Sequence, residues 1–426
     1  MPNINLAAPS KKKGIFMFTM LILAYIIFAI NWVAGSNLSK QITEYYFNGQ
    51  SVSASTSELV NYTITGARIV ANLLAVLILA KLNPKNASLF ALVLLSFSFL
   101  AVFSSNYWIY TGARMIMALG GSMVMVFINV YVAKFISKEY KTIAGAIITA
   151  AYNAGAALVA ILFLVFNDLL KANWQNTMLI FSSFSLIIVL IWFFFADDFN
   201  PLPKTETNKN YFYQKLLLES RLIAHVEEEK EYTYSDALKE KFVYIFSLGF
   251  GGFLFLYVMS LVSLPNQVAA NSTIGFKSAF MILTVTMGGI LATILDLFLL
   301  KLVVNKKKFL LTNGFMMIAS MLIGLYLSNI WLIGSYLALF LSGFFMYLVY
   351  PVYLNYPYDL PATTPKQLVM IFGIVWAFGY AIHTLFNIIW SIVLQNYGYV
   401  ASLIFYILAS SIYLIFAYML PRFDKK

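Results

Sequence analysis

"YTITGARIVANLLAVLILAKLNPK", residues 62–85, is apolar for most of its length and ends in a lysine, an Asn-Pro pair and a second lysine. Roughly 20 such residues are enough for a helix to cross a bilayer. Helices keep their backbone polar groups satisfied in lipid without closing a barrel. One residue does not fit that solvent. Arg68 stands about 13 residues before Lys81, roughly 19 Å along a helix, too deep to belong to the surface where the lysines lie. A charge at that depth costs ~2.5–3.5 kcal/mol on insertion scales, so the fold has to give it a partner.

The rest of the chain repeats this pattern. Of its 426 residues, 61% are hydrophobic and 11% charged, a balance that excludes a soluble globular protein of this size. Apolar spans fall at roughly 14–34, 59–80, 86–104, 108–133, 142–167, 174–196, 242–263, 276–300, 309–328, 331–354, 367–394 and 398–420, twelve in all. The first is too long for the core of a secretory signal and is read as retained. With Lys11 to Lys13 held inside, 23 of the 28 basic residues fall on the cytoplasmic side, three (Lys40, Lys171 and Lys277) on the outer side, and two within spans. The positive-inside rule then holds along the whole chain. Both termini are expected in the cytoplasm, in a multi-pass protein of the plasma membrane. A net charge of +11 does not imply nucleic acid, because the basic residues follow the topology instead of gathering on one soluble surface.

Between the sixth and seventh spans lies a polar stretch of mixed charge, within which residues 211–229 can form an amphipathic helix. It divides the chain into a six-helix bundle over 1–196, a cytoplasmic linker over 197–241 and a second bundle over 242–426. The segment "TYSDALKEKF", residues 233–242, has the form of a capped start to the seventh span. The halves echo each other: a helix-ending lysine and basic turn follow spans 2 and 8, and "KTIAGAIITAAYNAGAAL" after span 4 parallels "KQLVMIFGIVWAFGYAIHTL" after span 10. The expected fold is an all-α membrane protein, with twelve transmembrane helices in two pseudo-symmetric bundles.

These features resemble the major facilitator superfamily over nearly the full length. The most specific match is "GARMIMALGG", residues 112–121, in which Arg114 and Gly120 fit the family's Arg-x-x-x-Gly-x-Gly pattern and Ala118 replaces the first glycine. The family's acidic and basic loop after span 2 is reduced here to Lys81 and Lys85. The Gly-Pro pair of many proton-driven exporters is missing from span 5. The resemblance implies solute transport by alternating access, around a cavity lined by spans 1, 4, 7 and 10.

Cysteine is absent, and His225 and His383 are the only histidines. No nucleophile, metal-ligand set or paired carboxylate gathers at one depth, so neither enzyme chemistry, a metal nor a cofactor is expected. The first-half spans as drawn contain no carboxylate, which leaves Arg68 without an acidic neighbour in its own bundle. A guanidinium grips an oxyanion at two points, so the leading expectation is a small anionic solute carried by uniport or exchange. The alternative is a neutral polar solute, a sugar or nucleoside, with both intramembrane arginines structural. The expected solute contacts are Arg68, Asn72 four residues on, Arg114, Asn31, Tyr152, Asn153, His383 and Asn387. Asp296 is expected to gate or couple transport near Lys301, with His383 as a second candidate. The protein is expected to act as a monomer whose partners are the solute and the bilayer.

Overall fold

The computed structural model describes residues 9–199, 234–299, 303–360 and 365–422. The long helices are α1 (Lys11–Asn37), α2 (Ala54–Lys81), α3 (Pro84–Leu95), α4 (Tyr107–Phe135), α5 (Lys141–Ala172), α6 (Trp174–Phe195), α7 (Lys241–Leu261), α8 (Ser278–Leu299), α9 (Lys306–Leu327), α10 (Leu332–Leu354) and α11 (Pro365–Met419). Short helices Ser39–Tyr46 and Leu264–Ala270 follow α1 and α7, and Phe97–Ala101 continues α3 past Ser96. Eleven helices among the described residues are long and apolar enough to cross a membrane. The expected twelfth is the second arm of α11. At 55 residues α11 would be about 80 Å long if straight, but Gly398 interrupts it at φ 82° and ψ −178°, a conformation essentially confined to glycine. The arms fold back on each other: Phe386 and Phe405, on opposite sides of Gly398, both pack on Phe255 of α7, with centroids 5.6 and 6.2 Å away.

Polar caps set where several helices begin, and they correct the reading of span 2. The Ser53 hydroxyl accepts from the Thr56 amide, satisfying one of the free donors of a helix start. The helix therefore begins at Ala54, and Glu58 lies within it, buried. Asp168 likewise falls inside α5, which bends at Phe166 and runs on to Ala172. The first half thus has two carboxylates within its long helices, where hydropathy alone assigned none. The start of α7 also differs: Tyr234–Ala237 forms a separate turn, and α7 begins at Lys241 with no side-chain cap. The central segment 211–229 and Lys301 lie outside the described residues.

α1, α2, α3, α4, α5 and α6 pack into one bundle and α7 to α11 into the other, and the two meet along α2 against α11 and α5 against α8. One face gathers the basic turns: Lys11 donates to Ser137 Oγ (2.8 Å), Lys13 pairs with Asp197 (3.5 Å), Lys306 with Asp359 (2.5 Å), and Lys307 donates to the Leu420 carbonyl (2.8 Å). This is the lysine-rich face, and its opposite is the far face.

Candidate functional site

Arg68 sits at the midpoint of α2, 4% exposed, where the two bundles meet. Its guanidinium carbon lies 4.6 Å from the ring centroid of Tyr380 on α11, 5.4 Å from Trp32 and 5.5 Å from Phe28 on α1. Its Nε has no hydrogen-bond partner, and no ion pair involves it among the described residues. Glu58, which the expected span left out, shares this helix with Arg68 but lies ten residues back, roughly 15 Å along it. Aromatic faces carry the negative side of the ring quadrupole, and they supply what the lipid could not.

A chain of rings leads from Arg68 to Asn153. Tyr152 on α5 meets Trp32 edge-on at 5.9 Å and Tyr257 on α7 at 6.1 Å. Tyr257 and Tyr347, on α7 and α10, both donate to Asn153 Oδ1 (3.3 and 3.1 Å), and their hydroxyls are 2.7 Å apart. The Asn153 Nδ2 and the Tyr152 hydroxyl are buried and without partners. Two orphaned polar groups at the seam between bundles, one of them nearest Gly289 of α8 and both joined to Arg68 through the ring chain, make a site whose hydrogen bonding is incomplete. The α1 members of this lining, Phe28 and Trp32 together with Tyr25, escaped the sequence reading. Their spacing, three and then four residues apart, places them on one helical face, and that was the available signal.

The remaining candidates scatter. Arg114 is fully buried in the first bundle, where its guanidinium donates to the Asn31 backbone carbonyl (2.7 Å) and crowds Gly35. Asn31 turns toward α6, its Nδ2 donating to the Ile27 and Phe181 carbonyls (2.9 and 3.4 Å). Asn72 is half-buried, four residues past Arg68. His383 on α11 is buried between Phe255 and Tyr380, at 6.0 and 6.5 Å, with neither ring nitrogen partnered. Asn387, a turn further, is buried with its Oδ1 unpartnered. Asp296 is buried near the lysine-rich end of α8. The structure thus brings Arg68, Tyr152, Asn153 and His383 to the seam, and holds Arg114 and Asn31 inside the first bundle.

A second polar cluster was not anticipated. Glu58 Oε2 accepts from Ser263 Oγ (2.6 Å) and Asn61 Nδ2 (2.9 Å), and Asn61 Oδ1 accepts from Trp32 Nε1 (3.1 Å) and Ser36 Oγ (3.2 Å). The spacing of Glu58 and Asn61, three residues on a helix, was the available signal. It was lost because hydropathy starts the helix too late.

The fold has solved counterparts. The POT family transporter PepTSo superposes with a TM-score of 0.70 at 12% identity, over 97% of both chains. The xylose transporter XylE from E. coli, in a partially occluded inward open conformation, gives 0.70 at 12% identity over 97% of this chain and 99% of its own. At such identities the likeness carries the fold alone. In sequence, an uncharacterized protein of Mesomycoplasma hyopneumoniae (strain 232) is 24% identical over 417 residues, 89% of this chain and 82% of its own length. The family model of the Major Facilitator Superfamily matches residues 15–384. With its helices in two bundles, a polar site at their seam and this match over most of its length, the chain belongs to the Major Facilitator Superfamily and is a multi-pass membrane transporter.

Proposed function

We propose that the protein carries a small anionic solute, held at Arg68 and by the unpartnered polar groups of Tyr152 and Asn153. The observation that carries this reading is a buried guanidinium at the bundle seam, stacked on aromatic rings and free of any carboxylate among the described residues. Aromatic faces stabilise the charge while leaving donors for an oxyanion that comes and goes. Besides the Tyr257 and Tyr347 bonds to Asn153 and the Ser263 bond to Glu58, hydrogen bonds join the two halves from mid-depth to the far face: Thr384 to Thr65 (2.7 Å), Asn266 to the Ser36 carbonyl (2.8 Å), Ser55 to Ser391 (3.3 Å), and Tyr62 to Ser391. Such a set of contacts supports a state closed at the far face, with the solute reaching Arg68 from the lysine-rich, cytoplasmic face that both termini share. Alternating access then consists of breaking these bonds while the opposite ends close.

A neutral polar solute is the second reading, favoured by one observation: three rings already surround Arg68, and the Asn153–Tyr257–Tyr347 group can bond hydroxyls without any charge. Initial uptake by the purified protein in liposomes separates the two, after a ligand screen by thermal stabilisation has supplied the solute. In the anion case Arg68→Lys loses the two-pronged grip and uptake falls at least about tenfold. Unchanged uptake in that variant overturns the assignment.

A further inference from the structure

We infer that Glu58 is a proton-binding site that latches the two bundles together at the far face. The carboxyl is buried at the seam, and its donors come from both halves: Asn61 from α2, and Ser263 from the end of α7. The Asn387 side chain of α11 lies against the same carboxyl. Charged and titratable groups around it are few. Tyr62 is a turn away on α2 and bonds to Ser391; Tyr107 of α4 donates to the Thr56 carbonyl (2.7 Å). Arg114 of α4 is engaged by the Asn31 carbonyl (2.7 Å), and His383 lies one turn from Asn387 on α11. No lysine, arginine or histidine forms an ion pair with Glu58 among the described residues.

A carboxylate held by neutral donors alone keeps an uncompensated charge in a dry interface. A proton removes it. The Asn387 Oδ1 is itself buried without a partner, and turning that amide so that Oδ1 meets Glu58 gives a protonated carboxyl an acceptor for its O–H. When the bundles part at the far face, the carboxyl meets water and releases the proton. When they close, it takes one from that water. Closure is therefore favoured by acid on the far side and opposed by alkali, and a single proton changes the closed-to-open ratio by up to about tenfold per pH unit. This inference rests on the far face being the closed end, not on the charge of the solute.

The chain has no cysteine, so a labelled pair needs no background removed. Spin labels at Ser51→Cys and Tyr397→Cys, exposed far-face positions in different halves, report the opening in full-length protein in nanodiscs. The expected result is a short distance at low pH and a growing longer-distance population as pH rises. Glu58→Gln stays short at every pH, and replacing sodium by choline changes nothing. A pH-independent distribution in the parent protein, an unaltered pH response in Glu58→Gln, or closure at high pH restored by sodium overturns the latch. If Glu58→Gln does not fold, Glu58→Ala takes its place: loss of the pH response supports the proposal and its retention overturns it. None of these outcomes depends on the uptake test of Arg68.

Discussion

Two arginines are buried in the first bundle, and their surroundings assign them different work. Arg68 has rings around it and an Nε with no hydrogen-bond partner, at the seam; Arg114 is bonded to a carbonyl within one bundle, against Gly35. Removing Arg114 deletes its charge-assisted hydrogen bond to the Asn31 carbonyl, which keeps only its helical bond within α1, a loss of about 1.5–3 kcal/mol. Arg114→Met is thus expected to unfold at lower temperature in detergent, while the ligand-induced rise in its unfolding temperature is unchanged. Arg68→Lys is expected to do the reverse, with near-parental stability and a ligand-induced shift that is largely lost. Thermal unfolding of both variants with and without the identified solute checks the pair. The depth and isolation of Arg68 were legible in the sequence because they depend on spacing along one helix. What stacks on it was not, because Tyr380 comes from a helix more than three hundred residues away.

At the level of elements, small residues decide how closely helices approach. A Cβ on Gly120 of α4 would lie 2.4 Å from the Ala91 carbonyl oxygen and from the Leu95 amide of α3. Both atoms are backbone and cannot swing aside. Gly112, eight residues earlier on the same helix, has nothing within 4 Å of that position. Gly120→Val is therefore expected to destabilise the protein by ~2–3 kcal/mol through overpacking, and Gly112→Ala to be neutral or stabilising by up to about 1 kcal/mol. Thermal unfolding of the two variants tests the contrast within one helix. Gly398 is limited by conformation instead of space: its φ of 82° makes Gly398→Ala cost ~1–3 kcal/mol, read as a lower unfolding temperature with the hairpin of α11 loosened. Hydropathy located nearly every element, since apolar length is what the bilayer selects. It misplaced the start of α2 because a cap such as Ser53 extends a helix through polar residues that hydropathy counts as loop, and Glu58 was missed with it.

For the whole molecule, the even number of spans, the lysines and the echo between halves made the two-bundle plan legible, since each reflects one chain laid twice across the same solvent. The conformation was not, because contacts between halves join residues such as Ser55 and Ser391, whose pairing no local pattern encodes. Those contacts yield a further test. Ser55 Oγ and Ser391 Oγ are 3.3 Å apart at the far-face end of α2 and α11. If transport requires the bundles to part there, fixing this distance blocks the cycle, because a solute bound at Arg68 then has no exit on that side. A Ser55→Cys, Ser391→Cys double variant oxidised to the disulfide is expected to lose at least about tenfold of its uptake in liposomes. Reduction should restore it, and each single variant should transport normally under oxidant. Solute binding, followed by thermal stabilisation, should persist in the crosslinked protein, because the lysine-rich face stays free to open. Full uptake by the crosslinked form would mean that the far face does not open during transport, and the alternating-access reading of these contacts would fail.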